Sequence, residues 1–97
     1  MLFAVINTDR PASLDLRMSV RPTHLAFLES NTAKLVHGGA MLDDEGKPCG
    51  SLLIVEAESI EEVRAMAAQD PYAEAGLFES SVVRPFREAF RDGKKLY

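Results

Sequence analysis

The chain has 97 residues, enough for one domain but not two. Its 46% hydrophobic and 27% charged residues are an ordinary globular mixture, which excludes a disordered chain, and one core of this size needs neither disulfides nor metal to fold. Fifteen acidic against eleven basic residues give a net charge of −4, which excludes a broadly basic nucleic-acid surface. The single cysteine, Cys49, excludes an intrachain disulfide and any multi-cysteine metal centre.

Leu2 to Asn7 is an apolar run too short for a helix and reads as a buried strand, broken by Thr8-Asp9-Arg10-Pro11. The start lacks the basic stretch of a signal peptide, and no apolar run approaches the roughly 20 residues of a membrane span. A soluble cytoplasmic protein with no membrane partner is expected. Ser13 to Asn31 reads as a helix whose apolar stripe is Leu14, Met18, Leu25 and Leu28. Pro22 interrupts that pattern and predicts either a kink or a second helix starting there.

Leu35 to Leu42 and Ser51 to Ala57 form a hairpin of strands around the polar turn Asp43 to Pro48. Ser59 and Glu62 make a capping box for a helix with Ile60, Val63 and Ala67 inward, closed at Asp70-Pro71. Phe78 to Phe86 is the last strand, and the polar tail Arg87 to Tyr97 forms a final turn or hangs loose. The order βαββαβ predicts a ferredoxin-like α+β fold, an antiparallel sheet with two helices on one face. The first and third strands are apolar on both sides, so both sheet faces need cover. Two helices supply one cover, and a second copy in a symmetric homodimer is expected to supply the other.

Arg17, Arg21 and His24 fall at i, i+4 and i+7 and share one face of the first helix. Two readings fit: an anion-binding pocket with a general acid or base, and a solvated face with an incidental histidine. Spacing alone favours the second. Asp70 before Pro71 is a ready N-cap, and it could also orient His24 through one ring nitrogen. The two roles are compatible because a carboxylate has two oxygens. Gly38-Gly39 inside a strand points either to a close-lying ligand or to a kink. Ser51 is a plausible hydrogen-bonding pocket residue, whereas Cys49 has no neighbour that would activate it. His37 reads as a strand-end surface residue, and with two histidines at no ligand spacing a metal site is not expected.

Taken together, Arg17…Arg21-Pro22-x-His24-Leu25, His37-Gly38-Gly39-Ala40, Gly50-Ser51, Asp70-Pro71-Tyr72 and Ala75-Gly76-Leu77-Phe78 resemble the YciI-like (YCII-related) family, from about Leu2 to Phe86. The resemblance implies a ferredoxin-like fold of the dimeric α/β barrel type. It also implies a cleft with a His24–Asp70 catalytic pair, lined by Gly38, Gly39 and Ser51 with Arg17 and Arg21 near it. The family commonly carries Gly-Pro where this chain has Gly39-Ala40. Three functions follow as expectations. The first is a small cofactor-free acid–base enzyme acting on a small organic, aromatic or anionic compound by isomerisation, elimination or hydrolysis. The second is a non-catalytic small-ligand-binding module, and the third a structural dimerisation domain.

Overall fold

A computed structural model describes all of residues 1–97. Its elements run β1 (Leu2–Asp9), α1 (Leu14–Ser30), β2 (Leu35–Leu42), β3 (Pro48–Glu56), α2 (Ile60–Ala68), α3 (Pro71–Glu74), β4 (Phe78–Phe86), β5 (Phe90–Arg91) and β6 (Lys94–Lys95). Strands β1 to β4 form one antiparallel sheet in the order β2-β3-β1-β4. This is the ferredoxin-like α+β arrangement that the element order predicts. No helix is long and apolar enough to cross a membrane.

The core lies between the sheet and the helices. Phe3, Val5, Leu53 and Val55 project from the central strands against Val63 and Met66 of α2, with Phe27 and Leu28 of α1 at the margin. Ser59 caps α2 by accepting from the Glu62 N–H at 3.3 Å, but the Glu62 carboxylate accepts from Glu58 N–H, one residue before the expected return partner. Gly76, at φ +75°, ends α3: Leu77 N–H returns to Tyr72 O and Gly76 N–H to Ala73 O, a Schellman closure that a side chain at Gly76 would strain.

Four expectations need correction. The first strand continues through Thr8 and Asp9, since the Asp9 side chain is held inside by an ion pair. The third strand starts earlier, at Pro48, because the hairpin keeps pairing up to Leu42↔Pro48. The tail folds into a small hairpin, β5–β6, turned by Asp92 and Gly93 at positive φ.

The largest correction concerns α1, a single helix through Pro22 whose inward face takes only part of the predicted stripe, Leu28 against the core and Leu14 half-buried. Its two buried residues are Arg17 and His24, whereas Met18 and Leu25 are exposed. Pro22 and Met18 both lie on the outer side, so the Met18 carbonyl that loses its helical partner can turn to water. Arg17 and His24 are anchored on either side of the proline, about 10 Å apart along the axis, and hold the helix continuous.

On the opposite face no helix covers the sheet, and only the tail, through Phe90 to Asp92, comes near Ile54 and Phe86. Ile6 lies between Leu52 and Val82 in register, and with Phe86 these side chains are 37–42% exposed. Ala40 pairs with Ser51 within the regular stretch His37–Met41, between the register shifts at Leu35/His37 and Met41/Leu42.

The outward position of Met18 has a measurable consequence. Met18→Ala is expected to change unfolding free energy by less than about 0.5 kcal/mol. Met66→Ala, in the core of α2, is expected to cost about 2–5 kcal/mol. Urea denaturation of the two variants checks both values.

Candidate functional site

The site grows from the inward face of α1. His24 and Arg17, seven residues apart, point to the same side, and the ring of Tyr72 fills the gap between them. The imidazole stacks on Tyr72 at 3.9 Å between ring centres and 19° between planes. The Arg17 guanidinium carbon lies 4.6 Å from the same ring centre. Each base has its own carboxylate. Arg17 Nε donates to Asp9 Oδ2 at 2.7 Å, and Nη2 reaches the Gly50 carbonyl at 2.9 Å. His24 Nδ1 lies 2.8 Å from Asp70 Oδ1. All five side chains are more than nine-tenths buried.

Asp70 makes both contacts expected from its sequence, and it makes them with one oxygen. Oδ1 accepts from Tyr72 N–H at 2.9 Å as the N-cap of α3, and it is also the atom that meets His24. An ionised carboxylate only accepts, so Nδ1 is the ring donor to Asp70, and in the neutral imidazole Nε2 then holds the lone pair. No protein group bonds Nε2, and it is not sealed among the buried polar atoms. His24 lines a cleft of about 420 Å³ between α1 and the edge strand β2, and Nε2 is the ring nitrogen available to it.

Arg21, Gly38, Gly39 and Ser51 border the same cleft, so the structure brings the predicted site residues together. Their parts differ. Arg21 is exposed and makes no hydrogen bond or ion pair with the protein, which makes it the free cation of the cleft. Arg17 also borders the cleft, with Nε and Nη2 engaged by Asp9 and Gly50 and Nη1 3.5 Å from the Tyr72 hydroxyl, so most of its donors brace the fold. Gly38 lies on the helix side of β2, where an added Cβ would come within 2.6 Å of Leu53 Cδ2. Gly39 has nothing within 4 Å of that position, so open space alone does not require glycine there. His37 is paired with Ile54 of the helix-free face and borders the cleft through its place on β2.

Four participants carry no sequence signal that assigns them to the site. Asp9 looked like part of a strand-breaking turn, and Asn7 like the end of an apolar run. Tyr72 and Gly50 appeared in the motif strings without a role. Gly50 is required by close approach, since a Cβ there would lie 2.4 Å from the Asn7 carbonyl oxygen. A polar residue such as Asn7 in an otherwise apolar strand was the only hint available.

Burial raises the Tyr72 phenol above its ordinary value of 10.0, partly offset by the positive charges of Arg17 and Arg21. Below that value both folded and unfolded chains keep the proton, and the group adds no pH dependence. Above it the unfolded chain releases the proton first, so stability falls as pH rises. Urea midpoints measured between pH 9 and 11 are expected to fall more steeply in the wild type than in Tyr72→Phe.

A family model described as the YCII-related domain matches residues 1–87. Protein YciI of Escherichia coli O6:H1 is 39% identical over 98 residues, covering 93% of this chain and 100% of that protein. An uncharacterized protein of Haemophilus influenzae is 35% identical with the same coverage. Among solved structures, 5-chloro-2-hydroxyhydroquinone dehydrochlorinase (TftG) from Burkholderia phenoliruptrix, in complex with 2,5-dihydroxybenzoquinone, is similar with a TM-score of 0.83 and 40% identity. That match covers 90% of this chain and 94% of the other. A NIPSNAP family protein of Agrobacterium tumefaciens, at 20% identity and TM-score 0.56 over 96% of this chain and 97% of its own, shares the fold. The fold is that of the dimeric α/β barrel type, and the chain belongs to the YCII-related domain family.

Proposed function

We propose that the cleft is the active site of a small-molecule enzyme that moves a proton through His24 Nε2. The observation that carries this reading is the 2.8 Å contact of His24 Nδ1 with Asp70 Oδ1, which commits one ring nitrogen to the carboxylate and leaves the other to the cleft. Asp70 holds the tautomer and stabilises the imidazolium that forms when Nε2 accepts a proton. Stacking on Tyr72 holds the plane of the ring. Arg21 supplies a positive charge for an anionic or electron-rich oxygen of the substrate.

A cleft of about 420 Å³ suits a compound of one ring. The likeness to a dehydrochlorinase of a hydroxylated, chlorinated ring favours elimination within the acid–base repertoire. Loss of HCl from such a ring needs one proton removed and one chloride expelled, and a single positioned base performs the first half. Planar hydroxylated rings are therefore the substrate class this site suits best.

The experiment is a screen of chlorinated hydroxyhydroquinones, with chloride release as the readout. Turnover in the wild type is expected to fall about 10²–10⁴-fold in His24→Gln, with the circular dichroism spectrum unchanged. Equal turnover in the two proteins would overturn the assignment, and saturable binding without turnover would make the protein a ligand-binding module. In the free protein, ¹⁵N spectra of the imidazole are expected to show the proton on Nδ1 of His24, and Asp70→Asn to mix the two tautomers.

The protein is proposed to work as a homodimer joined through the helix-free sheet face. The row of Ile6, Leu52, Val82 and Phe86 supports this, because it is apolar and can meet its own copy about a two-fold axis. Light scattering at micromolar concentration is expected to give twice the chain mass of 10.7 kDa. Leu52→Glu should shift it to monomer. A monomeric wild type would end this part of the proposal.

A further inference from the structure

Three polar side chains stand in line across the helix side of the sheet. Asn7 of β1 is directly opposite Ser51 of β3 on one side and Ser81 of β4 on the other. Asn7 is 2% exposed and Ser51 3% exposed. Asn7 and Ser81 take no part in the proton transfer proposed for His24.

The two bonds of Asn7 have different lengths. Ser81 Oγ lies 2.6 Å from Asn7 Oδ1, and Asn7 Nδ2 lies 2.9 Å from Ser51 Oγ. The shorter is typical of an O–H···O bond and the longer of an N–H···O bond. The lengths thus agree with an amide whose oxygen faces β4 and whose nitrogen faces β3. An amide oxygen only accepts, so the Ser81 hydroxyl donates to it. An amide nitrogen only donates, so Ser51 Oγ accepts from it.

The Ser51 hydroxyl proton is then unused. Ser51 donates to no protein group, and the open space it borders is the cleft that holds His24 and Arg21. We propose that Ser81 and Asn7 form a relay that sets Ser51 as a hydrogen-bond donor into the cleft, so that the substrate presents an acceptor oxygen there, either carbonyl or phenolate. Ser51 and Arg21 supply two donors and His24 Nε2 one acceptor. The cleft therefore accepts an electron-rich oxygen at Ser51, one that accepts a hydrogen bond from the hydroxyl. Asn7 and Ser81 are positioning residues, and Ser51 is a binding residue. This inference rests on the reading of the cleft as the substrate site.

The relay is tested first in the free protein. The Asn7 side-chain NH₂ protons are expected to give stronger nuclear Overhauser cross-peaks to Ser51 Hβ than to Ser81 Hβ, and in Ser81→Ala the Asn7 amide should lose that preference. Stronger cross-peaks to Ser81 Hβ in the wild type mean a reversed amide and a Ser51 that accepts from the ligand, which overturns the proposal. The second arm is calorimetric titration with 2,5-dihydroxybenzoquinone as the probe. Ser51→Ala is expected to weaken binding about tenfold or more, and Ser81→Ala severalfold. Wild-type binding that His24→Gln weakens but Ser51→Ala leaves unchanged would overturn the relay and spare the acid–base site. A wild type that does not bind the probe would count against the proposed substrate class, while the cross-peaks still decide the relay.

Discussion

The structure depends on two nitrogen bases of one helix each meeting a carboxylate inside the protein. Arg17 and His24 are the buried residues of α1, and each meets a carboxylate from a different element: Asp9 from the end of β1, Asp70 from the start of α3. Removing an ionised group from water costs several kcal/mol unless a partner and further hydrogen bonds compensate. The carboxylates therefore constrain the rotation of α1 about its axis, because any other rotation would bury unpaired charge. The exposed Met18 and Leu25 follow from that rotation.

Tyr72 couples the two pairs. Its ring touches both bases, its N–H is capped by the carboxylate that holds His24, and its carbonyl closes the Schellman turn at Gly76. The four-residue helix α3 thus positions the histidine, the carboxylate and the stacking surface together. A short helix has little stability of its own. Here the proline at its first position, the aspartate cap and the glycine stop make it regular, and burial of Tyr72 and Leu77 holds it against the core. The sheet contributes the opposite wall of the cleft, where Gly38 leaves room that a side chain would fill.

Much of the fold was legible from local chemistry. The limits of β2 and β4 and the extent of α1 matched their hydrophobic runs, and Ser59 and Asp70 cap the helices they were expected to cap. The lining of the cleft was legible through the family-like motifs, which contain Arg17, Arg21, His24, Gly38, Gly39 and Ser51, together with Asp70 behind His24. The apolar stripe of α1 misled because Leu and Met at helical spacing are a sufficient signal for burial only when no stronger partner competes. Asp9 and Asn7 were missed because their importance lies in what stands opposite them, and cross-strand register is not a local property.

By itself the sequence determined the order of elements, the two-sided apolar sheet and the membership of the chain in its family, since these rest on periodicity, turn residues and motif order along one chain. Only the tertiary structure decided which face of α1 is buried, that a single oxygen of Asp70 serves both the helix cap and the histidine, and that Arg17 is held by Asp9 while Arg21 is free. The physical reason is the same in each case. A charge or a polar hydrogen is satisfied by whatever partner the fold brings within about 3 Å, and that partner is 8 residues away for Arg17 and 46 for His24.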